Sequence, residues 1–438
     1  MQKFIRDLNL VIGALLIAFL ALVYWYAWRP LPTISGSVRL PIDKPGTIAR
    51  DELGAPHITA SSFEDAVFLQ GYAHAQDRLF QMDGLRRLAA GELSEIVGSG
   101  ALQSDQEARR FRMRKMAEQH YTRLSAENRR VLGAYARGVN HFLETHGKTL
   151  PVEFLLLGYD PRPWSEVDTL LCGLQMYRSL TGGWKDELLK GVMLEKGDRE
   201  KGDREKVNYI FPVRSGDEAQ LGSNAWVISG KHTATGKPIL ANDTHLEWSF
   251  PSPWYLNHLK ADRLNVSGFS LPGVPLVIIG DNERIAWGIT NLHYDVQDLY
   301  LEQLNPNTGQ YVYNGAVEQA RQEREVIRVK NGNPVELNLW VTRHGPVAFT
   351  SGNAQLALRW VAAESGGFSF PFPALNRASN WEQFTAALAN FAGPGSNFVY
   401  ADVDGNIGYH AAGKLPVRRN HDGDSPAIGA DPKNEWDG

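Results

Sequence analysis

Two short clusters in this 438-residue chain carry residue types able to do chemistry. The first is Leu221-Gly222-Ser223-Asn224-Ala225-Trp226. A serine hydroxyl is a weak nucleophile at neutral pH and needs a base within reach. If the Ser223 hydroxyl attacked the Gly222 carbonyl and the peptide bond between them broke, Ser223 would become N-terminal and carry its own amine. An α-amine has a reference pKa of about 7.7–8.0, so a useful fraction is neutral near pH 7 and accepts the hydroxyl proton, directly or through a water. One cleavage would create nucleophile and base together. Gly222 suits the strained approach, because glycine tolerates backbone angles closed to other residues. On these residues alone a Gly-Ser turn ahead of a strand is the simpler reading. The second cluster, Asp295-Val296-Gln297-Asp298, brings two carboxylates and an intervening carbonyl together in a loop-like segment, and Ca²⁺ takes roughly six to eight such oxygens. Asp-rich turns are also common without a metal.

The elements that must position these groups change character along the chain. After Pro30-Leu31-Pro32, Pro41 and Pro45-Gly46, a helical zone starts at Ser62, with Asp65 as a short-armed capping-box partner, and helices are expected to about Leu194. Phe63, Val67, Leu79, Phe80 and Leu85 recur at helical spacing as a core stripe, with Glu64 and Arg86-Arg87 on other faces. Glu195 to Lys206 repeats a charged unit without one apolar residue and cannot pack a core. From Ser223 onward, β-branched and aromatic runs such as Trp226–Ile228, Pro275–Ile279 and Glu336–Thr342 alternate with Gly/Asn/Asp turns, which predicts sheet. The chain thus divides into residues 1–29 (an N-terminal apolar segment), 30–194 (helical), 195–222 (a solvated linker) and 223–438 (sheet-rich). Gly222-Ser223 falls at the seam, where a chain can be cut.

Leu8 to Trp28 is uncharged, long enough for a bilayer, and ends in Tyr24-Trp25-Tyr26-Ala27-Trp28, an interfacial aromatic belt. Lys3 and Arg6 ahead of it favour a cytoplasmic tail and export of the chain beyond Arg29, which is read as lying at the periplasmic or extracytoplasmic face, anchored to the inner membrane by residues 8–28. Its length favours an uncleaved anchor over a removed signal peptide. The composition, 43% hydrophobic and 21% charged, excludes a disordered or collagen-like chain. A net charge of −4 carries no general attraction to nucleic acid. Cys172, the one cysteine, sits in an apolar run without metal-binding spacing. G-x-S-x-G, H-E-x-x-H, Walker and Rossmann signatures do not occur.

Arg50–Ile58, Gly71–Arg78, Gly91–Glu95, Gly222–Trp226, Ala241–His245, Ala286–Asn291, Thr342–Pro346 and Ala401–Gly408 succeed one another in an order that resembles the penicillin acylase family. These are serine N-terminal nucleophile hydrolases, among them penicillin, cephalosporin and acyl-homoserine lactone acylases. The resemblance implies an α+β fold, a four-layer αββα sandwich with two stacked antiparallel sheets between helical layers. It implies autoproteolysis between Gly222 and Ser223, giving α and β chains from one precursor, and hydrolysis of a small N-acyl amide. His245 is implied to sit beside Ser223 and orient it. The backbone N–H of Asn291 or Leu292 falls where the family takes its main-chain oxyanion donor. Asp295, Asp298 and the Gln297 carbonyl match a structural calcium loop, with Glu187 and the Pro426 carbonyl completing it. Met176, Leu180, Leu246 and Ile279 match positions lining the acyl pocket and imply an aliphatic acyl group, although Met176 and Leu180 read equally as core. The family's side-chain oxyanion donor lies beyond the motif that Glu435–Gly438 resembles, which implies a longer gene product. Alternatives are an acyl-homoserine lactone acylase and a membrane-anchored homologue without activity.

Overall fold

Local rules place the first long helix. In the computed structural model, which describes residues 1–42, 44–147, 149–188, 222–246, 249–351 and 354–438, Ser62 Oγ accepts the Asp65 N–H at 3.1 Å and caps the helix Phe63–Ala90. Gly91 closes it in the left-handed conformation, which glycine reaches without steric cost. Val67 and Leu79 are fully buried, and Phe63, Phe80 and Leu85 pack half-buried beside them. Arg86 and Arg87 correct the expectation that they lie off the core, since both are buried. Asp83 accepts from both guanidinium groups, Asp168 adds a second partner for Arg86 and Glu95 one for Arg87. Buried charges persist only when paired in this way. Helix Ala126–His146 crosses so closely that a Cβ on Gly138 would stand 2.0 Å from the Phe68 carbonyl oxygen.

The strands are β1 (Thr47–Arg50), β2 (Pro56–Thr59), β3 (Gly222–Ile228), β4 (Ile239–His245), β5 (Tyr255–Ala261), β6 (Leu264–Leu271), β7 (Val274–Asn282), β8 (Ile285–Asn291) and β9 (Gln297–Glu302). They continue with β10 (Gln310–Tyr313), β11 (Ala316–Gln319), β12 (Arg321–Ile327), β13 (Val335–Thr342), β14 (Gly345–Ser351), β15 (Ala354–Trp360), β16 (Ser396–Asp402), β17 (Ile407–Ala412) and β18 (Ala427–Ile428). An eight-stranded sheet runs β1-β2-β5-β6-β7-β8-β16-β17, and a six-stranded sheet runs β12-β13-β14-β15-β9-β18. β3 and β4 form a separate hairpin, as do β10 and β11. Pairing is antiparallel apart from β2 with β5 and β18 with β9.

The segment read as helical therefore also supplies two strands to the large sheet. They are four residues each, too short for a period-two pattern to stand out from the Gly/Pro-rich approach. Helices Phe63–Ala90, Ala126–His146 and Glu166–Ser179 share one core with this sheet through Ile58, Leu259, Val266, Val277 and Trp287. Gln2–Trp28 is helical and apolar enough to cross a membrane by length and composition, and none of its apolar window is buried. The expected linker, Gly222 apart, lies outside the described residues.

Candidate active site

Gly222 and Ser223 open β3, whose Trp226-Val227-Ile228 run favours strand. The ladder with β4 sets Gly222 opposite His245 and Ser223 opposite Thr244. Ser223 Oγ donates to the Gly222 carbonyl oxygen at 2.7 Å, so the hydroxyl lies against the peptide group it would have to attack. Directly opposed residues share a face and neighbours alternate, so Ser223 and Thr244 project to one side, and Asn224 and His245 to the other. His245 Nε2 indeed contacts the Asn224 side-chain amide at 3.2 Å, and its Nδ1 faces Asp243 at 3.4 Å. Among the described residues His245 thus has Asn224 and Asp243 as partners, and not Ser223, which it was expected to orient. The two are close in the ladder and separated by the pleat.

The hairpin is held on β8 by Asn242. Its Nδ2 donates to the Asn224 and Ile289 carbonyls at 3.0 and 3.1 Å, and its Oδ1 accepts the Ile289 N–H at 2.9 Å. Of the two expected main-chain donors, Leu292 is already committed, since its N–H goes to the Gly395 carbonyl at 2.9 Å. Ladder parity turns the Asn291 N–H the other way, to the edge where Ile289 meets the hairpin. The Asn291 side chain donates to the Leu180 carbonyl at 2.9 Å and ties this strand end to the helical part. Sequence reasoning did not find Asn242. The Ala241-Asn242-Asp243 motif was its only signal.

Ser223, Thr244 and Asn291 border one cavity of about 1040 Å³ including its open mouth. Met176 and Leu180 from the helical part and Leu246 and Ile279 from the sheet part all line it. The four residues expected to hold an acyl group are therefore brought together with the serine. The wall is more aromatic than expected, because Trp254, Phe368, Phe391 and Phe398 complete it. These come from loops and a distant strand, where spacing carries no hint of a shared cavity. The Phe368-Ser369-Phe370-Pro371-Phe372 run was the available signal.

The carboxylates of Glu187, Asp295 and Asp298 each offer an oxygen, all within 4.8 Å of one another. Glu187 Oε2 accepts the Leu299 N–H at 3.0 Å, while Glu187 Oε1 and Asp295 Oδ1 are buried without a hydrogen bond. Burial, reinforced by the charges of Asp298 and Asp295 and opposed by the Leu299 bond, pushes the Glu187 carboxyl up to about 9. Burial likewise raises Asp295 to about 6 against the pull of Arg418. Gly183 keeps the space open, since a Cβ there would stand 2.3 Å from Asp295 Oδ1 and 3.7 Å from the Gln297 carbonyl oxygen. The parallel register of β18 on β9 sets Pro426 beside Leu299. Arg418, missed in the sequence, pairs with Asp295 and Asp298 at 2.7 Å. A crowded, all-oxygen donor set with orphaned carboxylate oxygens fits a hard divalent cation.

The penicillin amidase family model matches residues 45–438. The chain is 32% identical to the acyl-homoserine lactone acylase QuiP of Pseudomonas aeruginosa, over 90% of this chain and 52% of the relative. It is 33% identical to penicillin acylase 2 proenzyme of Pseudomonas sp. strain SE83, over 93% of this chain and 57% of the relative. Among solved structures, thermostable penicillin G acylase from Alcaligenes faecalis is 30% identical, with a TM-score of 0.46, over 49% of this chain and 39% of that one. The chain thus spans about half the length of the curated relatives it matches. A serine opening a strand beside a lined cavity, an acidic triad and a family match across nearly the whole chain agree: the chain belongs to the penicillin amidase family.

Proposed function

We propose that the protein is an amidohydrolase whose nucleophile, Ser223, is freed by cleavage of its own chain. The observation that carries this is the Ser223 hydroxyl lying on the Gly222 carbonyl at 2.7 Å, on the hairpin face that opens into the cavity. In the maturation step Oγ adds to the Gly222 carbonyl carbon and the C–N bond breaks. The resulting ester is hydrolysed by water, leaving a carboxylate on Gly222 and a free amine on Ser223. In turnover that amine takes the hydroxyl proton as Oγ attacks the substrate amide and returns it to the leaving amine. Water then releases the acyl group as a carboxylic acid. The Asn291 N–H is the chain's own candidate oxyanion donor, and one such donor is worth about 10²–10³ in turnover.

Met176, Leu180, Leu246 and Ile279 would hold the acyl group of a penicillin or related N-acyl compound. An acyl-homoserine lactone is the second reading, favoured by the aliphatic character of those four positions. Residues 30–194 would form the α chain and the β chain would begin at Ser223, in the four-layer αββα arrangement. Residues 8–28 would hold the protein at the periplasmic face of the inner membrane. Glu187, Asp295, Asp298 and the carbonyls of Gln297 and Pro426 would bind a structural Ca²⁺, which when bound supplies charge neutralisation between the two chains.

Intact mass measurement with N-terminal sequencing tests the proposal. A fragment beginning at Ser223 is expected, together with a single uncut chain for Ser223→Ala. Normal cleavage in Ser223→Ala would overturn it. Release of homoserine lactone from a long-chain substrate without turnover of penicillin G would select the second reading.

A further inference from the structure

We propose that His57 and His258 form a chelating site for a divalent transition-metal cation of the Zn²⁺ and Ni²⁺ class. β2 lies parallel to β5 with His57 directly beside His258. Alternation of buried and open residues along both strands turns the two imidazoles to the side away from the helical core. Their Nδ1 atoms stand 3.1 Å apart.

The other nitrogen of each ring is engaged. Nε2 of His57 faces Asp51 Oδ2 at 3.4 Å, and Nε2 of His258 faces Asn265 Oδ1 at 2.7 Å. The Asn265 amide is oriented by its own Nδ2, which donates to Glu283 Oε1 at 2.7 Å, so its oxygen is the atom presented to His258. Carboxylate and amide oxygens only accept, so both Nε2 atoms carry the proton. A neutral imidazole has a single N–H, and both Nδ1 atoms therefore show each other a lone pair. Exchanging the tautomer of His258 moves the conflict to Asn265 at 2.7 Å, and exchanging that of His57 sets a lone pair toward the Asp51 carboxylate at 3.4 Å. A cation between the rings, either a proton or a metal ion, satisfies all four ring nitrogens at once.

Three features favour the metal. Two nitrogens bound at about 2.0–2.1 Å to one ion at tetrahedral or octahedral angles lie about 2.9–3.4 Å apart, which spans the observed separation. The ring planes stand at 81° and both rings lie on the open face, so turning them about Cβ–Cγ aims both lone pairs at one ion, with water in the remaining positions. Each ring also has its outer N–H held by an oxygen, the arrangement that fixes the tautomer and raises the basicity of metal-bound histidines. Imidazole nitrogens select borderline ions, in contrast to the all-oxygen Glu187 cluster. His57 precedes Ser223 and His258 comes after it, so if the chain is cut before Ser223 the ion would join the two products. Binding itself does not depend on that cleavage.

The test uses the full-length protein with saturating Ca²⁺, titrated with ZnCl₂ by calorimetry and with CuSO₄ by electron paramagnetic resonance. One Zn²⁺ equivalent is expected, weakened at least tenfold in His57→Asn and in His258→Asn. The Cu²⁺ spectrum should carry coupling from two imidazole nitrogens, reduced to one in either variant. Ser223→Ala, expected to stay uncut, should bind Zn²⁺ like the parent. Equal Zn²⁺ affinity and unchanged nitrogen coupling in both variants would overturn the site. So would imidazole resonances of His57 and His258 that respond to pH and not to Zn²⁺, since a proton alone would then fill the gap. Both side chains lie outside the core, and an unchanged melting temperature in metal-free buffer checks that the variants fold.

Discussion

Ser223 and His245 project from opposite faces of the β3–β4 hairpin. Ser223 is paired with Thr244, and His245 with Gly222, so one step of the pleat separates them. His245→Ala is therefore expected to leave cleavage before Ser223 within about threefold of the parent rate, as for a side chain away from the reacting atoms. A gel time course of precursor conversion checks this, and a loss of a hundredfold would return His245 to the catalytic machinery.

Asn242 bears more of the positioning than His245. Its amide makes two bonds to Ile289 of β8 and one across the hairpin to Asn224, and the part-buried Ile289 carbonyl and N–H lose their partner without it. Asn242→Ala should lower stability by about 1–3 kcal/mol and slow conversion of the precursor. Urea unfolding and the same time course measure the two effects.

If the Glu187–Asp295–Asp298 cluster holds a divalent cation as proposed, its removal lowers the melting temperature. Calcium at a hundred times its dissociation constant stabilises by about 2.7 kcal/mol, provided it binds the folded state alone. Glu187→Gln keeps the shape and the Leu299 acceptor but loses a charged ligand, so calcium should stabilise it less. Identical melting of the parent in excess chelator and in calcium would remove the metal assignment.

His344 and Glu435 give a pH dependence of definite sign. Burial opposes the charge on His344, but the hydrogen bonds it donates to the Glu302 and Glu435 carboxylates and their negative charges outweigh it and raise its pKa. His344 holds Glu435 down to about 2, with Arg359 adding to the effect. A raised histidine stabilises fully below its unfolded value of about 6.5 and loses that contribution as pH rises through the folded value. A depressed glutamate stabilises above about 4.3 and loses its contribution as pH falls toward its folded value. The pair should contribute most between these limits. Thermal melts of His344→Gln across pH 5 to 9 should show a smaller decline above neutrality than the parent.

Met176 lines the cavity from the helical side. Met176→Phe replaces a flexible thioether by a rigid ring and should cost long acyl chains about 1–3 kcal/mol in kcat/KM relative to short ones, the scale of a methylene or two in an apolar pocket. A chain-length series of N-acyl substrates reads this directly. A uniform loss at every length would mean that Met176 is core and not pocket.

The Ser62 cap and the change from helices to sheet near Ser223 were legible in the residues, and Ser223, the acidic loop and the four apolar residues that line the cavity were named from local chemistry or from resemblance to a family. Each is either local chemistry or a position in a linear motif. Other features depended on pairing between distant segments. Which face of the hairpin His245 occupies is set by ladder register. Leu292 drops out as a donor because Gly395, far along the chain, lies opposite it. Arg86 and Arg87 are buried because Asp83, Asp168 and Glu95 converge on them, which no helical period reveals. Arg418 reaches the acidic triad, and His57 meets His258, through folding alone. A sequence determines which groups are available and what each strand or helix prefers locally. Only tertiary structure decides which partners neutralise a charge or occupy a hydrogen bond, because that depends on distances between residues far apart in the chain.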